Sequence, residues 1–160
     1  MSRFESWLLS LSTLLAGGTG LCLYVLKTWL ATDDPFSVVR HPWQPWVLKA
    51  HLVAVPFLIF AFGLVFSTHV LAQWQKRRPR GRLTGLWVTG LFAPLVLSGV
   101  LIQVLTAQVW LDRVVWIHLA SGILYLGLYA GHRWSTRSLP ARKEAPERRG
   151  LAVPGGRSPA

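Results

Sequence analysis

Four histidines form two pairs whose spacing is the most informative feature of the sequence. His118 and His132, fourteen residues apart, bracket an uncharged apolar stretch, and His51 and His69, eighteen residues apart, bracket a second one. Because an α-helix turns about 100° per residue, either interval returns the chain to within about 40° of its starting face. Imidazoles serve as metal ligands and as proton carriers. Each pair therefore places two such groups on one helical face, about 21 Å apart in the first pair and about 27 Å in the second.

The segments that carry these histidines are apolar enough to cross a membrane. Only 14% of the 160 residues are charged and 52% are hydrophobic, whereas a soluble domain has about 25% charged residues. The sequence therefore predicts an all-α integral membrane four-helix bundle over residues 1–135, followed by a basic tail, 136–160, that we expect to be disordered. Four apolar runs approach the ~20 residues that a bilayer requires: Trp7–Leu30, Val47–Ala72, Leu83–Ala107 and Val114–Trp134.

Basic residues are concentrated in two segments, 76–82 between the second and third runs and the part that follows residue 132. Positive residues collect on the cytoplasmic side of membrane proteins, which predicts that both termini lie inside. We expect a multi-pass protein of the bacterial cytoplasmic (inner) membrane whose basic segments contact anionic lipid. This distribution accounts for the net charge of +11, so no nucleic acid partner is expected.

The predicted topology also pairs each histidine of the second helix with a histidine of the fourth. In an antiparallel bundle the second and fourth helices run in the same direction, so His51 is level with His118 near the outer side and His69 is level with His132 near the inner side. Opposed imidazoles at two depths are what two bis-histidine haems need. A zinc site is less favoured, because the pairs are far apart and no carboxylate or thiolate joins them. His41, beside Pro42, is interpreted as a loop residue.

In topology and spacing the chain resembles the four-helix di-haem core of membrane b-type cytochromes, particularly cytochrome b of the quinol–cytochrome c complexes. That core also carries histidine pairs on its second and fourth helices, about fourteen residues apart, with glycines on the intervening helices where porphyrins contact the backbone. Gly85 and Gly99 on the third helix are likewise fourteen residues apart. The resemblance implies two non-covalent haem b groups between helices 2 and 4, with these glycines packed against them.

One interval departs from that pattern. The eighteen residues between His51 and His69 exceed fourteen by four, which is about 6 Å of helical rise. Pro56 lies between them and is expected to bend the helix and absorb part of the excess. If it does not, His51 is the ligand expected to be lost, because it lies nearest a helix end. Candidate cationic partners for haem propionates are Arg40 and Arg113 at the outer side and Arg82 and Arg133 at the inner side.

Two haems at two depths would conduct electrons across the bilayer. The chain has no C-x-x-C-H motif and no evident flavin or nicotinamide site, so it is not expected to complete a reaction alone. We expect an electron-transfer subunit that connects the quinone pool with a peripheral redox protein, such as a periplasmic cytochrome or iron–sulfur protein, docked at the loop 31–46. The alternative is a haem-free membrane anchor or assembly subunit of an oxidoreductase complex, in which the histidines are incidental.

Overall fold

The computed structural model describes residues 2–30, 41–72 and 82–137, and nearly all of these residues are helical. All four long helices are apolar and long enough to cross a membrane. The prediction of an all-α, four-helix membrane protein is confirmed to that extent, while the orientation and the identity of the membrane stay predictions. The elements are α1 (Arg3–Thr28), α2 (Gln44–Val65), a π-helical turn (Phe66–Val70) that continues α2, α3 (Arg82–Val104) and α4 (Gln108–Arg137).

Local sequence signals explain where the first two helices begin. A capping box starts α1: the Ser2 hydroxyl accepts a hydrogen bond from the Glu5 amide at 3.1 Å, and the Glu5 carboxylate accepts one from the Ser2 amide at 2.9 Å. Pro45 stands in the first turn of α2, where its missing N–H costs nothing. The helix continues through Pro56, and the predicted bend at this residue stays a prediction. The chain leaves α geometry at the π-helical turn that contains His69.

The bundle consists of two helical hairpins, because the close backbone contacts lie almost entirely between α1 and α2 and between α3 and α4. The hairpins approach each other along α1 and α4. A Cβ atom on Gly17 would lie 2.6 Å from Leu126 Cδ2, so the absence of a side chain at Gly17 allows this approach. Large apolar residues cover the outward face, which suits contact with lipid.

Hydroxyl groups join α1 to α4 in a series of contacts that we call the polar seam. Arg133 Nη1 donates to Ser6 Oγ at 2.6 Å. Ser10 Oγ gives its hydrogen to the Ser6 carbonyl at 2.7 Å, so the Tyr129 hydroxyl, 2.9 Å away, is the donor to Ser10. Hydrogen bonds between helices stabilise membrane bundles. The polar seam therefore fixes the register of the two hairpins from the inner end towards the centre.

Aromatic rings fill the centre of the bundle. Phe62 of α2 stacks on Phe92 of α3 with centroids 3.7 Å apart and planes 10° apart. Phe92 lies 5.8 Å from the ring of Tyr125, a residue that is only 1% exposed. Thr13 completes this level from α1 and is also buried. The hydroxyls of Thr13 and Tyr125 approach each other without reaching hydrogen-bond geometry, and neither has another partner among the described residues.

Candidate functional site

Steps of seven residues divide the bundle into three layers. Seven residues turn a helix to within about 20° of the same face, so residues seven apart line one side of a helix. We call the layers outer, middle and inner, following the predicted orientation. The outer layer contains Gly20, His51, Gly99 and His118; the middle layer contains Thr13, Leu58, Phe92 and Tyr125; the inner layer contains Ser6, Val65, Gly85 and His132.

His51 is held in the outer layer by α1. Its Nδ1 atom lies 3.0 Å from the Ala16 carbonyl and 3.0 Å from the Thr19 hydroxyl. A carbonyl oxygen can only accept a hydrogen bond, so Nδ1 carries the hydrogen of the neutral ring. The lone pair is therefore on Nε2, the nitrogen left free to bind a metal. The ring of His51 is therefore fixed although it lies near the helix start.

His118 is held in the same way by α3. Its Nδ1 atom lies 3.1 Å from the Leu95 carbonyl and 3.1 Å from the Ser98 hydroxyl. The same argument assigns the hydrogen to Nδ1 and the lone pair to Nε2. Hydrogen bonds of this kind fix the tautomer and orientation of metal-binding imidazoles and raise their basicity. The two outer histidines therefore have the same protonation and the same kind of support.

The separation of the two outer rings matches that of two ligands on one metal ion. Their centroids are 6.4 Å apart and their planes are 85° apart. An imidazole nitrogen lies about 1.1 Å from its ring centre and nitrogen–metal bonds are about 2.0–2.1 Å long, so two rings on opposite sides of one ion have centroids about 6.3 Å apart. The donor set of the outer layer thus fits an ion that needs two axial imidazoles, as haem iron does.

Glycines make room for both outer rings. A Cβ atom on Gly99 would lie 3.1 Å from His118 Cε1, and a Cβ atom on Gly20 would lie 3.1 Å from His51 Cε1. These distances are shorter than ordinary van der Waals contacts, so a side chain at either position would displace the ring. The sequence interpretation had associated Gly99, but not Gly20, with the site. Gly20 is therefore an addition to the predicted set.

The inner layer is built on one side only. His132 Nδ1 lies 3.0 Å from the Thr84 hydroxyl, and a Cβ atom on Gly85 would lie 3.7 Å from His132 Cε1. The Thr84 hydroxyl corresponds to the Ser98 hydroxyl at His118, while the distance at Gly85 is an ordinary van der Waals contact, longer than the 3.1 Å at Gly99. On α2, however, the residue fourteen after His51 is Val65, and it is 7% exposed.

His69 lies one turn beyond Val65, within the π-helical turn. It is within electrostatic range of His132, but no hydrogen bond to its ring is formed within the described parts of the chain. A ring contact is described for His51 with His118, whereas the level pairing of His69 with His132 stays a prediction. Its role as a ligand stays a prediction.

The predicted cationic partners have separate positions. Arg113 lies over the ring of Trp110 at 5.1 Å on its own helix, and Arg133 reaches across to α1 in the polar seam. Arg82 is the first residue of α3, and Arg40 lies outside the described residues. Contacts of any of them with a propionate stay predictions. His41 accepts a hydrogen bond from the Trp43 amide at 3.2 Å, in agreement with its interpretation as a loop residue.

The structure describes only part of the predicted docking loop, 31–46, and of the basic segments. Residues 31–40, 73–81 and 138–160 lie outside the described residues. At the end of the loop, Pro42, Trp43 and Trp46 line an open surface cavity. Lys49 stands over the Trp46 ring at 4.8 Å. This end therefore presents aromatic rings with a nearby cation, as membrane interfaces do.

Three dipeptides of a hydroxyl residue followed by glycine hold the supported histidines. They are Thr19-Gly20, which contacts His51; Ser98-Gly99, which contacts His118; and Thr84-Gly85, which contacts His132. A signal for them was present in the sequence, because the two dipeptides of α3 are fourteen residues apart, like the histidines they support. The spacing of histidine and glycine alone does not reveal these hydroxyls.

Within the described residues no three histidine, cysteine, aspartate or glutamate side chains cluster to hold a bare metal ion. The porphyrin of a haem supplies its own equatorial nitrogens, so two imidazoles are sufficient for it. Comparison with family models, with curated proteins and with solved structures gives no match to this chain. The functional assignment therefore depends on the geometry of these layers.

Proposed function

We propose that the protein is a di-haem membrane cytochrome b, an electron-transfer subunit that carries electrons across the bilayer between the quinone pool and a peripheral redox partner. One haem b lies in the outer layer between His51 and His118, and a second lies at the inner side between His69 and His132. The bacterial inner membrane and a periplasmic cytochrome or iron–sulfur protein as partner belong to the same proposal. The separation of the His51 and His118 rings, 6.4 Å between centroids, is the observation that supports it best.

The chain contributes orientation and environment to this function. The Ala16 and Leu95 carbonyls accept the Nδ1 hydrogens, which keeps both Nε2 lone pairs available for a metal. Gly20 and Gly99 give each ring room to hold its position. When bound, haem iron supplies a reversible one-electron centre whose potential depends on axial ligands, hydrogen bonding and burial. Those three determinants are all set here by residues of four different helices.

The middle layer separates the two sites. Tyr125 stands seven residues from both His118 and His132, and Phe92 stands seven residues from both Gly85 and Gly99. Their rings are 5.8 Å apart, so bulky side chains fill the bundle where the outer and inner layers have glycine. In this proposal a flat group would occupy either end layer without entering the middle. The alternation of glycine and an aromatic residue along α3 (Gly85, Phe92, Gly99) supports two separate cofactors rather than one.

Haem content tests the proposal directly. The protein purified in mild detergent from cells supplied with haem precursor is analysed by the pyridine haemochrome assay and by its reduced-minus-oxidised absorption spectrum. We expect close to two b haems per chain. A value near zero, from protein that is folded and helical by circular dichroism, would contradict the proposal.

The contact between the outer rings also supports a second function. Planes 85° apart suit a direct edge-to-face contact between aromatic rings. In a haem-free membrane anchor or assembly subunit, that contact would serve only to join the hairpins. The same assay separates the functions, because the anchor would be colourless and would stay monodisperse without haem.

A further inference from the structure

Three of the four paired histidines are held by a polar side chain on the other helix of their own hairpin. The contacts are His51 with Thr19 of α1, His118 with Ser98 of α3 and His132 with Thr84 of α3. The fourth, His69, lies in the turn that continues α2, so the other helix of its hairpin is α1. This pattern predicts that the support of His69 comes from the beginning of α1.

Glu5 stands at the matching position of α1. It lies fourteen residues before Thr19, and the same interval separates Thr84 from Ser98 on α3. Because fourteen residues return an α-helix to within about 40° of the same face, Glu5 has the place at the inner end of α1 that Thr19 has at the outer end. His69 is within electrostatic range of the Glu5 carboxylate. Where α3 has a hydroxyl, α1 therefore has a carboxylate.

The Glu5 carboxylate contacts the residue that precedes His69. Its Oε2 atom accepts a hydrogen bond from Thr68 Oγ1 at 3.2 Å and another from the Ser2 amide at 2.9 Å. The bond from Ser2 belongs to the capping box of α1. The bond from Thr68 comes from a different helix and is not part of the cap. One oxygen atom thus joins the start of α1 to the turn that carries His69.

That turn has π-helical geometry, which often marks a functional site. Ser67 Oγ and Thr68 Oγ1 both reach back to the Leu64 carbonyl, at 2.9 Å and 3.0 Å, and such bonds often bend a helix. Within the described residues, only Thr68 of the two hydroxyl residues also reaches α1. The contact with Glu5 is therefore what ties this turn to the neighbouring helix.

Acidic side chains are scarce in this bundle. Glu5 and Asp112 are the two that the described residues contain, and they lie at opposite ends. Asp112 accepts a hydrogen bond from Gln108 of its own helix at 2.7 Å, whereas Glu5 is half-buried and accepts one from another helix. Ionisable groups at membrane depth are costly and usually functional. A function for Glu5 beyond the cap is consistent with this position.

We propose that Glu5 is a positioning residue, which through Thr68 fixes the π-helical turn and so holds His69 in place as a ligand of the inner haem. The inference rests on the proposed function. It gives His69 a polar support from α1, as Thr19 supports His51. Outer contacts of this kind orient metal-binding imidazoles, and their loss typically weakens metal binding about 10- to 100-fold.

Release of haem from the purified, haem-loaded protein tests this inference. Transfer of haem to excess apomyoglobin is followed by absorption, and His51→Ala, which should retain the inner haem alone, identifies the inner phase. Thr68→Val removes the hydroxyl and keeps the size of the side chain, so it should accelerate the inner phase about 10- to 100-fold. It should also shift the low-spin EPR signal of the inner haem, while the outer phase and the outer signal stay unchanged.

Matched variants separate positioning from the stability of the helix ends. Ser67→Ala removes the neighbouring hydroxyl of the same turn, and Ser2→Ala removes the capping hydroxyl of α1, so both should keep the inner phase slow. Thr68→Ser retains a hydroxyl and should release haem as slowly as the unsubstituted protein. Glu5→Ala should reproduce Thr68→Val. The double variant should be no faster than either, because substitutions within one interaction are not additive.

The contrary outcomes are distinct. An unchanged inner phase and EPR signal in both Glu5→Ala and Thr68→Val overturn the inference and leave the proposed function standing. An equal acceleration in Ser67→Ala or Ser2→Ala, or effects that add in the double variant, overturn it in the same way. Two low-spin haems in His69→Ala overturn it because His69 is then not a ligand. A folded chain without haem overturns both the inference and the proposed function.

Discussion

The imidazole rings of His51 and His118 belong to different hairpins, yet their centroids are 6.4 Å apart and their planes are nearly perpendicular. No contact between residues that are close in sequence brings the two rings together. Each is held by its own hairpin partner, His51 by α1 and His118 by α3. The two rings are therefore supported independently and meet when the hairpins associate. Substitutions on one hairpin can test the support of His51 separately from that of His118.

Removal of either outer ligand should empty the same site. We expect His51→Ala and His118→Ala each to lose one haem per chain, because a single remaining axial imidazole weakens binding to the iron. Haemochrome content and the low-spin EPR signal measure the loss. His41→Ala is the control, since the His41 ring accepts a hydrogen bond from the backbone of its own loop. Retention of both haems in His51→Ala would show that the outer iron has another ligand.

Alanine scanning of glycines should distinguish two positions on the same helix. Gly99→Ala would place a Cβ atom 3.1 Å from His118 Cε1, whereas a Cβ atom on Gly90 has nothing within 4 Å. We therefore expect Gly99→Ala to lower the outer haem content and Gly90→Ala to leave it unchanged. Helical content should stay the same in both, because alanine favours helix more than glycine does. Equal haem loss in the two variants would contradict the close contact.

The polar seam allows a matched comparison of two tyrosines one turn apart. Tyr129→Phe removes a hydrogen bond to Ser10 and should lower the free energy of unfolding by about 0.6 kcal/mol, the mean for hydrogen bonds between membrane helices. Tyr125→Phe removes a buried hydroxyl that lacks a partner and should not lower it, since an unpaired buried group costs about 1–3 kcal/mol.

Unfolding in mixed micelles by SDS titration gives both free energies. The double variant should equal the sum of the single variants if the two hydroxyls are independent. A loss in Tyr125→Phe as large as that in Tyr129→Phe would mean that the Tyr125 hydroxyl is hydrogen-bonded in the membrane.

Orientation is a prediction from charge that a fusion can measure. Segment 76–82 and the part after residue 132 are rich in Lys and Arg, so both should lie in the cytoplasm. A reporter fused after Arg149 should be active only when it is a cytoplasmic reporter, and a periplasmic reporter there should be silent. A matched fusion in the loop 31–40 should give the opposite pair of results. Reversed activities would exchange the outer and inner layers.

The four spans and the shared faces of the histidines could be predicted because they depend on local quantities. Apolar runs of about 20 residues and a rotation of about 100° per residue are properties of the chain itself. The predicted pairing of His51 with His118 also followed from these quantities. The structure brings those rings together. The eighteen-residue interval to His69 had made His51 the ligand expected to be lost if bending at Pro56 did not absorb the excess.

Other features depend on contacts that periodicity does not encode. The π turn around His69 has no clear sequence signature, and the interval was attributed to bending at Pro56. The hydrogen bonds of Thr19 and Ser98 to imidazoles require the neighbouring helix to be placed first. Val65 was overlooked because an apolar residue in an apolar run carries no signal until the layer that contains it is known.

Because every layer takes one half of its residues from each hairpin, binding of a group in a layer is linked to the association of the two hairpins. A group bound between the hairpins stabilises their association but not the separated hairpins, so it shifts the equilibrium by mass action. If the protein binds the proposed haems, then without them the hairpins are joined by the polar seam and the aromatic rings of the middle layer. Under that proposal the abundance of the chain should follow the supply of haem, because membrane proteases degrade what is not fully assembled.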